Sequence, residues 1–173
     1  MKKKLEKRFS YLYTGEFISF VLFIVVSYPL NYLFMMRDQQ LYSLYSFWLA
    51  FILLEFLLLQ GTIYWYSKLK RLREEKNPIT PGKVVRLLHR LKKVNVVIII
   101  FTILAFLVDL IIWYPSLPLV GLAVALFVYI FAILEFINYF YIQLSYDNIS
   151  DIKYLFKNKK LKKSCMSKDF KRV

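Results

Sequence analysis

Four apolar blocks, each long enough to cross a bilayer, constrain this chain more than any other feature. They occupy residues 11–36, 41–67, 94–114 and 119–146. A spanning helix needs roughly 20 mostly apolar residues. Hydrophobic residues make up 59% of the 173, and only 4 Gly and 5 Pro interrupt them. A soluble domain would spread that apolar content along amphipathic elements, whereas here it is bunched. The expected fold class is therefore all-α: an integral membrane four-helix bundle.

Charge sets the expected orientation. The net charge is +14, which in a soluble protein would suggest nucleic-acid binding. Placement argues against that partner, because the basic residues flank the apolar blocks. Residues 1–10 carry Lys2, Lys3, Lys4, Lys7 and Arg8. The loop 68–93 holds ten Lys and Arg, and the tail 147–173 holds nine. Arg37 alone falls on the other side. Lys and Arg are retained on the cytoplasmic face, so both termini are expected there, with the chain in a cell membrane. The expected partners are the bilayer itself, anionic lipid headgroups, and either a second copy or another membrane protein.

The opening Met1-Lys2-Lys3-Lys4 resembles the start of a signal peptide. The apolar run behind it is long, contains Glu16 and lacks a small-residue cleavage site, so it is read as a retained first helix. Pro29 is expected to kink or end that helix. Thr80-Pro81 reads as an N-cap and first helical residue. Behind it, Val84, Val85, Leu87, Leu88 and Leu91 alternate with basic residues as an amphipathic basic helix before the third crossing. That segment could lie on the inner leaflet or simply extend the crossing helix. Lys83, Arg86, Arg90, Lys92 and Lys93 are its candidate contacts to anionic lipid. The segment 113–118, Trp-Tyr-Pro-Ser-Leu-Pro, reads as an uncharged turn.

No residue set points to catalysis. There is one cysteine, Cys165, and one histidine, His89, flanked by Arg86 and Arg90. Metal ligation requires several convergent donors, and neither a phosphate-binding Gly-rich loop nor a nucleophile–base pattern occurs. The expectation is no enzyme, no metal and no cofactor.

Candidate chemistry lies in the acids within the apolar blocks: Glu16, Glu55, Asp109 and Glu135. A mid-bilayer carboxylate costs about 2.5–3.5 kcal/mol and usually faces a bundle interior or a wet cavity. Glu55 and Glu135 are nearest mid-depth, each within a Leu-Glu-Phe triplet, a spacing that fits either a duplicated helical hairpin or chance. Facing each other, they could share a proton or bind a cation. Alternatively they pack helices together with Asn138, Gln60 and Thr62. On the fourth block Glu135, Asn138, Ile142 and Ser145 share one helical face, a candidate packed interior or oligomer contact.

The segment Glu135-x-Ile137-Asn138-Tyr139-x-Tyr141-x-Gln143-Leu144-x-Tyr146-Asp147, followed by a basic tail, resembles a family of small four-pass bacterial membrane proteins. Some of its members carry the label general stress protein. The resemblance implies an integral membrane protein without assigned chemistry and transfers no catalytic residue. Richness in Lys, Ile, Phe, Tyr and Asn likewise fits an AT-rich bacterial genome. Two functional expectations follow. One is a non-enzymatic protein acting by association, as an accessory, regulatory or stress-related component. The other is a small oligomeric transporter or channel coupled to protons or cations through the mid-membrane carboxylates.

Overall fold

The computed structural model of the chain describes residues 2–35, 41–144 and 161–172. The connection 37–40 with Arg37, the positions Ser145, Tyr146 and Asp147, and Lys153, Lys157, Lys159 and Lys160 lie outside the described residues. Among the described residues, five α-helices run in the order α1 (Lys2–Met35), α2 (Tyr45–Glu74), α3 (Gly82–Ile112), α4 (Leu119–Phe140) and α5 (Cys165–Phe170). A 3-10 turn at Leu41–Ser43 precedes α2. The described residues contain no β-strand, only an isolated antiparallel bridge between Ile142 and Lys163. α1 to α4 are long and apolar enough to cross a membrane.

α2 is the core of the structure. α1, α3 and α4 each pack mainly against it, and α3 and α4 touch one another less. Its Leu53, Leu54, Leu57, Leu58 and Tyr64 are buried, together with Ala132, Phe136 and Phe140 of α4. Near its start, Leu41, Leu44 and Phe47 form a second cluster with Ala125. The other long helices bury one stripe each. Only 6% of the apolar window of α1 is buried, against 56% for α2. Ile18, Leu22 and Val25 of α1, Ile100, Ile103 and Leu107 of α3, and Phe127 and Ile130 of α4 are exposed. Apolar surface on that scale is foreign to a monomer in water and normal against lipid.

The structure bears on the sequence expectation for the elements at four places. Pro29 does not end α1, which continues through it to Met35. Proline removes one backbone donor, and the turns on either side still close their own bonds. The amphipathic basic segment is not a separate helix. It forms the first turns of α3, so Lys83, Arg86, Arg90, Lys92 and Lys93 sit on a direct extension of the third apolar block. Thr80 does not cap that helix: Pro81 is the N-cap residue, with no side-chain bond, and the Thr80 hydroxyl is engaged elsewhere. Finally, α4 stops at Phe140, short of residue 146. The chain then turns back on residues 161–172, with Gln143 N donating to Lys162 O at 2.8 Å and Ser164 N to Tyr141 O at 3.2 Å.

The start of α2 is capped by another helix. Its own N-cap residue, Leu44, offers no side-chain acceptor. Asp109, which is 0% exposed, reaches across from α3 instead. Its Oδ1 accepts from Tyr45 N at 3.0 Å and its Oδ2 from Ser46 N at 2.8 Å. A carboxylate there satisfies two otherwise orphaned donors and faces the positive end of the helix dipole. Asp109→Ala should lower the unfolding free energy of the detergent-solubilised protein by about 1.5–3 kcal/mol, the scale of hydrogen bonds to a charged group. Asp109→Asn, which keeps one acceptor, should lose less, as read from thermal or denaturant unfolding.

Candidate polar site where three helices meet

Gly61 lies where α1 and α4 both come close to the α2 backbone. A Cβ on it would lie 2.6 Å from the Tyr139 hydroxyl oxygen, 2.9 Å from Tyr139 Cζ and 3.0 Å from Glu16 Cδ. The missing side chain leaves room for one interaction: the Tyr139 hydroxyl of α4 donates to Glu16 Oε2 of α1 across the α2 backbone. Glu135 lies one helical turn before Tyr139, near enough to Glu16 to interact electrostatically. Its Oε2 accepts from Asn138 Nδ2 at 3.2 Å, while Asn138 Oδ1 accepts from Leu144 N at 2.9 Å. Asn138 thereby also ends the helix, turning the chain towards α5. A cavity of about 80 Å³ adjoins these groups, with Arg8, Glu16, Tyr64, Asn138, Tyr139 and Cys165 in its wall.

The structure therefore gathers Glu16, Glu135 and Asn138 and leaves Glu55 and Asp109 apart. Glu55 lies six residues before Gly61, about 9 Å along the helix axis. No hydrogen bond joins it to Glu135 among the described residues. Both Glu55 carboxylate oxygens are closed off and have no hydrogen-bond partner. It belongs to the flank of α2 on which Trp48, Ile52, Leu59 and Tyr66 are exposed. The two Leu-Glu-Phe triplets also sit differently: Leu54 is buried whereas Leu134 is exposed. Of the stripe on α4, Glu135 and Asn138 lie on the helix and are joined by a hydrogen bond. Ile142 has already left the helix.

Two further polar pairings tie α3 and α5 to α2. Gln60 and Asn95, both buried, exchange reciprocal amide hydrogen bonds at 3.0 Å each. At the basic end of α2, Asp169 of α5 is almost fully buried. Its Oδ2 accepts from the Tyr64 hydroxyl and the Thr80 hydroxyl at 2.7 Å each, and pairs with Lys68 Nζ at 3.1 Å. Lys68 Nζ also donates to the Tyr64 oxygen at 2.7 Å and lies over the rings of Tyr64, Trp65 and Phe9. Ser164 caps α5 by accepting from Ser167 N at 3.0 Å, and donates to Tyr139 O at 2.6 Å. Sequence reasoning missed Gly61, Tyr64, Lys68, Asn95 and Asp169, and gave Thr80 only the role of a helix cap. One signal was available: Asp169 is the lone acid among five basic residues from Lys162 to Arg172.

Burial would raise the Asp169 carboxyl, but the Thr80 and Tyr64 hydrogen bonds and the Lys68 charge outweigh it and hold it below its ordinary value. No family model matches the chain, and no curated protein or solved structure is significantly similar to it.

Two outcomes follow. Gly61→Ala should force Tyr139 and Glu16 apart and destabilise the protein by about 1–3 kcal/mol, the usual cost of overpacking; adding Tyr139→Phe should recover part of that loss in the same unfolding assay. A depressed carboxylate stabilises the state that holds it only while ionised, so docking of α5 should be fully present above the ordinary carboxyl value and weaken below about pH 4. Amide exchange over 165–170, corrected for intrinsic rate, should accelerate as pH falls through that range. Asp169→Asn should be fast at neutral pH and lack the transition.

Proposed function

We propose that this is a non-enzymatic multi-pass protein of a bacterial cell membrane, a four-helix bundle with both termini cytoplasmic. It acts by association, as an accessory, regulatory or stress-related component. The observation that carries the association reading is how the polar groups of the apolar helices are used. Asp109 caps α2, Gln60 binds Asn95 and Tyr139 binds Glu16, each between helices, whereas Asn138 binds Glu135 within α4. Interhelical bonds of this kind are worth about 0.6–2 kcal/mol each and fix how the helices meet. The orientation is supported by the charge distribution, since the basic segments 1–10 and 68–93 share one end of the helices. The bacterial setting and the stress-related role are supported by the resemblance of residues 135–147.

Transport coupled to protons or cations is the second reading, favoured by Glu55, whose buried carboxylate has no partner. An intramembrane acid in that state is a functional candidate by default. The two readings separate in proteoliposomes containing the purified protein. Association predicts no proton or monovalent-cation flux above protein-free vesicles and the same result for Glu55→Gln. A flux that Glu55→Gln abolishes would replace association with transport. Reporter fusions at both ends should be active only in the cytoplasm.

A further inference from the structure

Docking of α5 does more than close the end of the core, because it builds a groove against the first turns of α3. The groove has a volume of about 300 Å³ and is walled by Val85, Arg86, His89 and Arg90 on one side and Phe170 on the other. Phe170 is fixed there by two ring contacts. It stacks on Phe140 at 5.9 Å between centroids and 9° between planes, and meets His89 edge-on at 5.3 Å. The neighbouring Asp169 network holds the helix that carries it.

The electrostatics of the groove are one-sided. Arg86, His89 and Arg90 are exposed, and no carboxylate pairs with either arginine among the described residues. α3 contains no acid before Asp109. The acid of α5, Asp169, is already occupied by Lys68, Tyr64, Thr80 and Arg172. Two guanidinium groups one turn apart, unpaired and beside an aromatic wall, suit a phosphate with an apolar portion attached. Depth selects the source of that phosphate. Arg90 lies four residues before Val94, where the apolar block begins, so it sits about 6 Å outside the hydrocarbon along the helix. The headgroup layer is about 5–8 Å thick on each face.

We propose that this groove is a binding site for the headgroup phosphate of an anionic phospholipid, assembled jointly by α3 and α5. The site rests on the membrane reading above, which puts the basic end at the headgroup layer. It differs from a diffuse attraction of basic residues to anionic lipid because it requires Phe170 and a docked α5.

The test uses the full-length protein purified in a neutral detergent, so binding is read independently of topology in the cell. Short-chain phosphatidylglycerol is titrated against short-chain phosphatidylcholine and inorganic phosphate, with binding followed by native mass spectrometry and by thermal shift. Phosphatidylglycerol should bind saturably and raise the melting temperature, and phosphatidylcholine should not. Arg86→Gln with Arg90→Gln should weaken binding at least tenfold. Lys3→Gln with Lys4→Gln, the same change in charge on α1 and outside the groove lining, should leave it unchanged. Phe170→Ala should weaken binding with no change in charge, and alkylation of Cys165 reports in parallel whether α5 stays docked. An undocked Phe170→Ala protein that still binds phosphatidylglycerol at full strength would overturn the joint site. So would equal losses in the two double variants. Inorganic phosphate that binds as tightly as phosphatidylglycerol would overturn the lipid source. Reporter fusions in the wrong compartment, with binding in detergent intact, would count against the membrane orientation and not against the groove.

Discussion

An aspartate from elsewhere in the chain holds each end of α2. Asp109 closes its first turn, and Asp169 binds Tyr64 and Lys68 near its basic end. The common constraint is that polar groups removed from water must find partners inside the protein. A helix start offers backbone donors in search of an acceptor. A buried lysine offers a full charge, and leaving it unpaired costs far more than pairing it gains. The two carboxylates answer these needs, and in doing so fix α3 and α5 relative to the central helix.

Between those two points the packing is governed by size and by a few polar contacts. Leu53, Leu54, Leu57 and Leu58 fill the middle of the interior face of α2. Gln60 sets the register of α3 through Asn95, and Gly61 admits the Tyr139–Glu16 contact that brings α1 and α4 together over its backbone. Glu55 stands apart because its level of α2 supplies no donor. Polar groups along the helix thus divide: Gln60 holds a neighbour in place, whereas the Ser46 hydroxyl and the Glu55 carboxylate are buried without a hydrogen-bond partner.

The four apolar helices were legible in the sequence because their signal is local. Block length and composition locate them with no knowledge of neighbours. Helix ends were less legible, since tertiary partners decide them. Thr80 has the right type and position for an N-cap, yet Asp169 takes its hydroxyl. α4 reads as continuous to residue 146, yet Asn138 accepts from Leu144 N and the chain turns. The candidate site was half legible. Glu16, Glu135 and Asn138 stand out as polar residues in apolar surroundings, but their grouping depends on Gly61 and Tyr139, which look unremarkable in a chain with 14 tyrosines. The basic tail read as a solvated anchor. The return of residues 161–172 onto α2 and α4 was hidden because its apolar residues are few and their partners are distant in the chain.

The pairing of Lys68 with Asp169 also carries information about time. A ribosome makes the lysine roughly a hundred residues before it makes the aspartate, so the helices can enter a bilayer while this amine still lacks its counter-charge. Completion of the fold at that end waits for the late arrival of α5. Until then Tyr64, Lys68 and Thr80 lack the carboxylate that joins them in the finished fold.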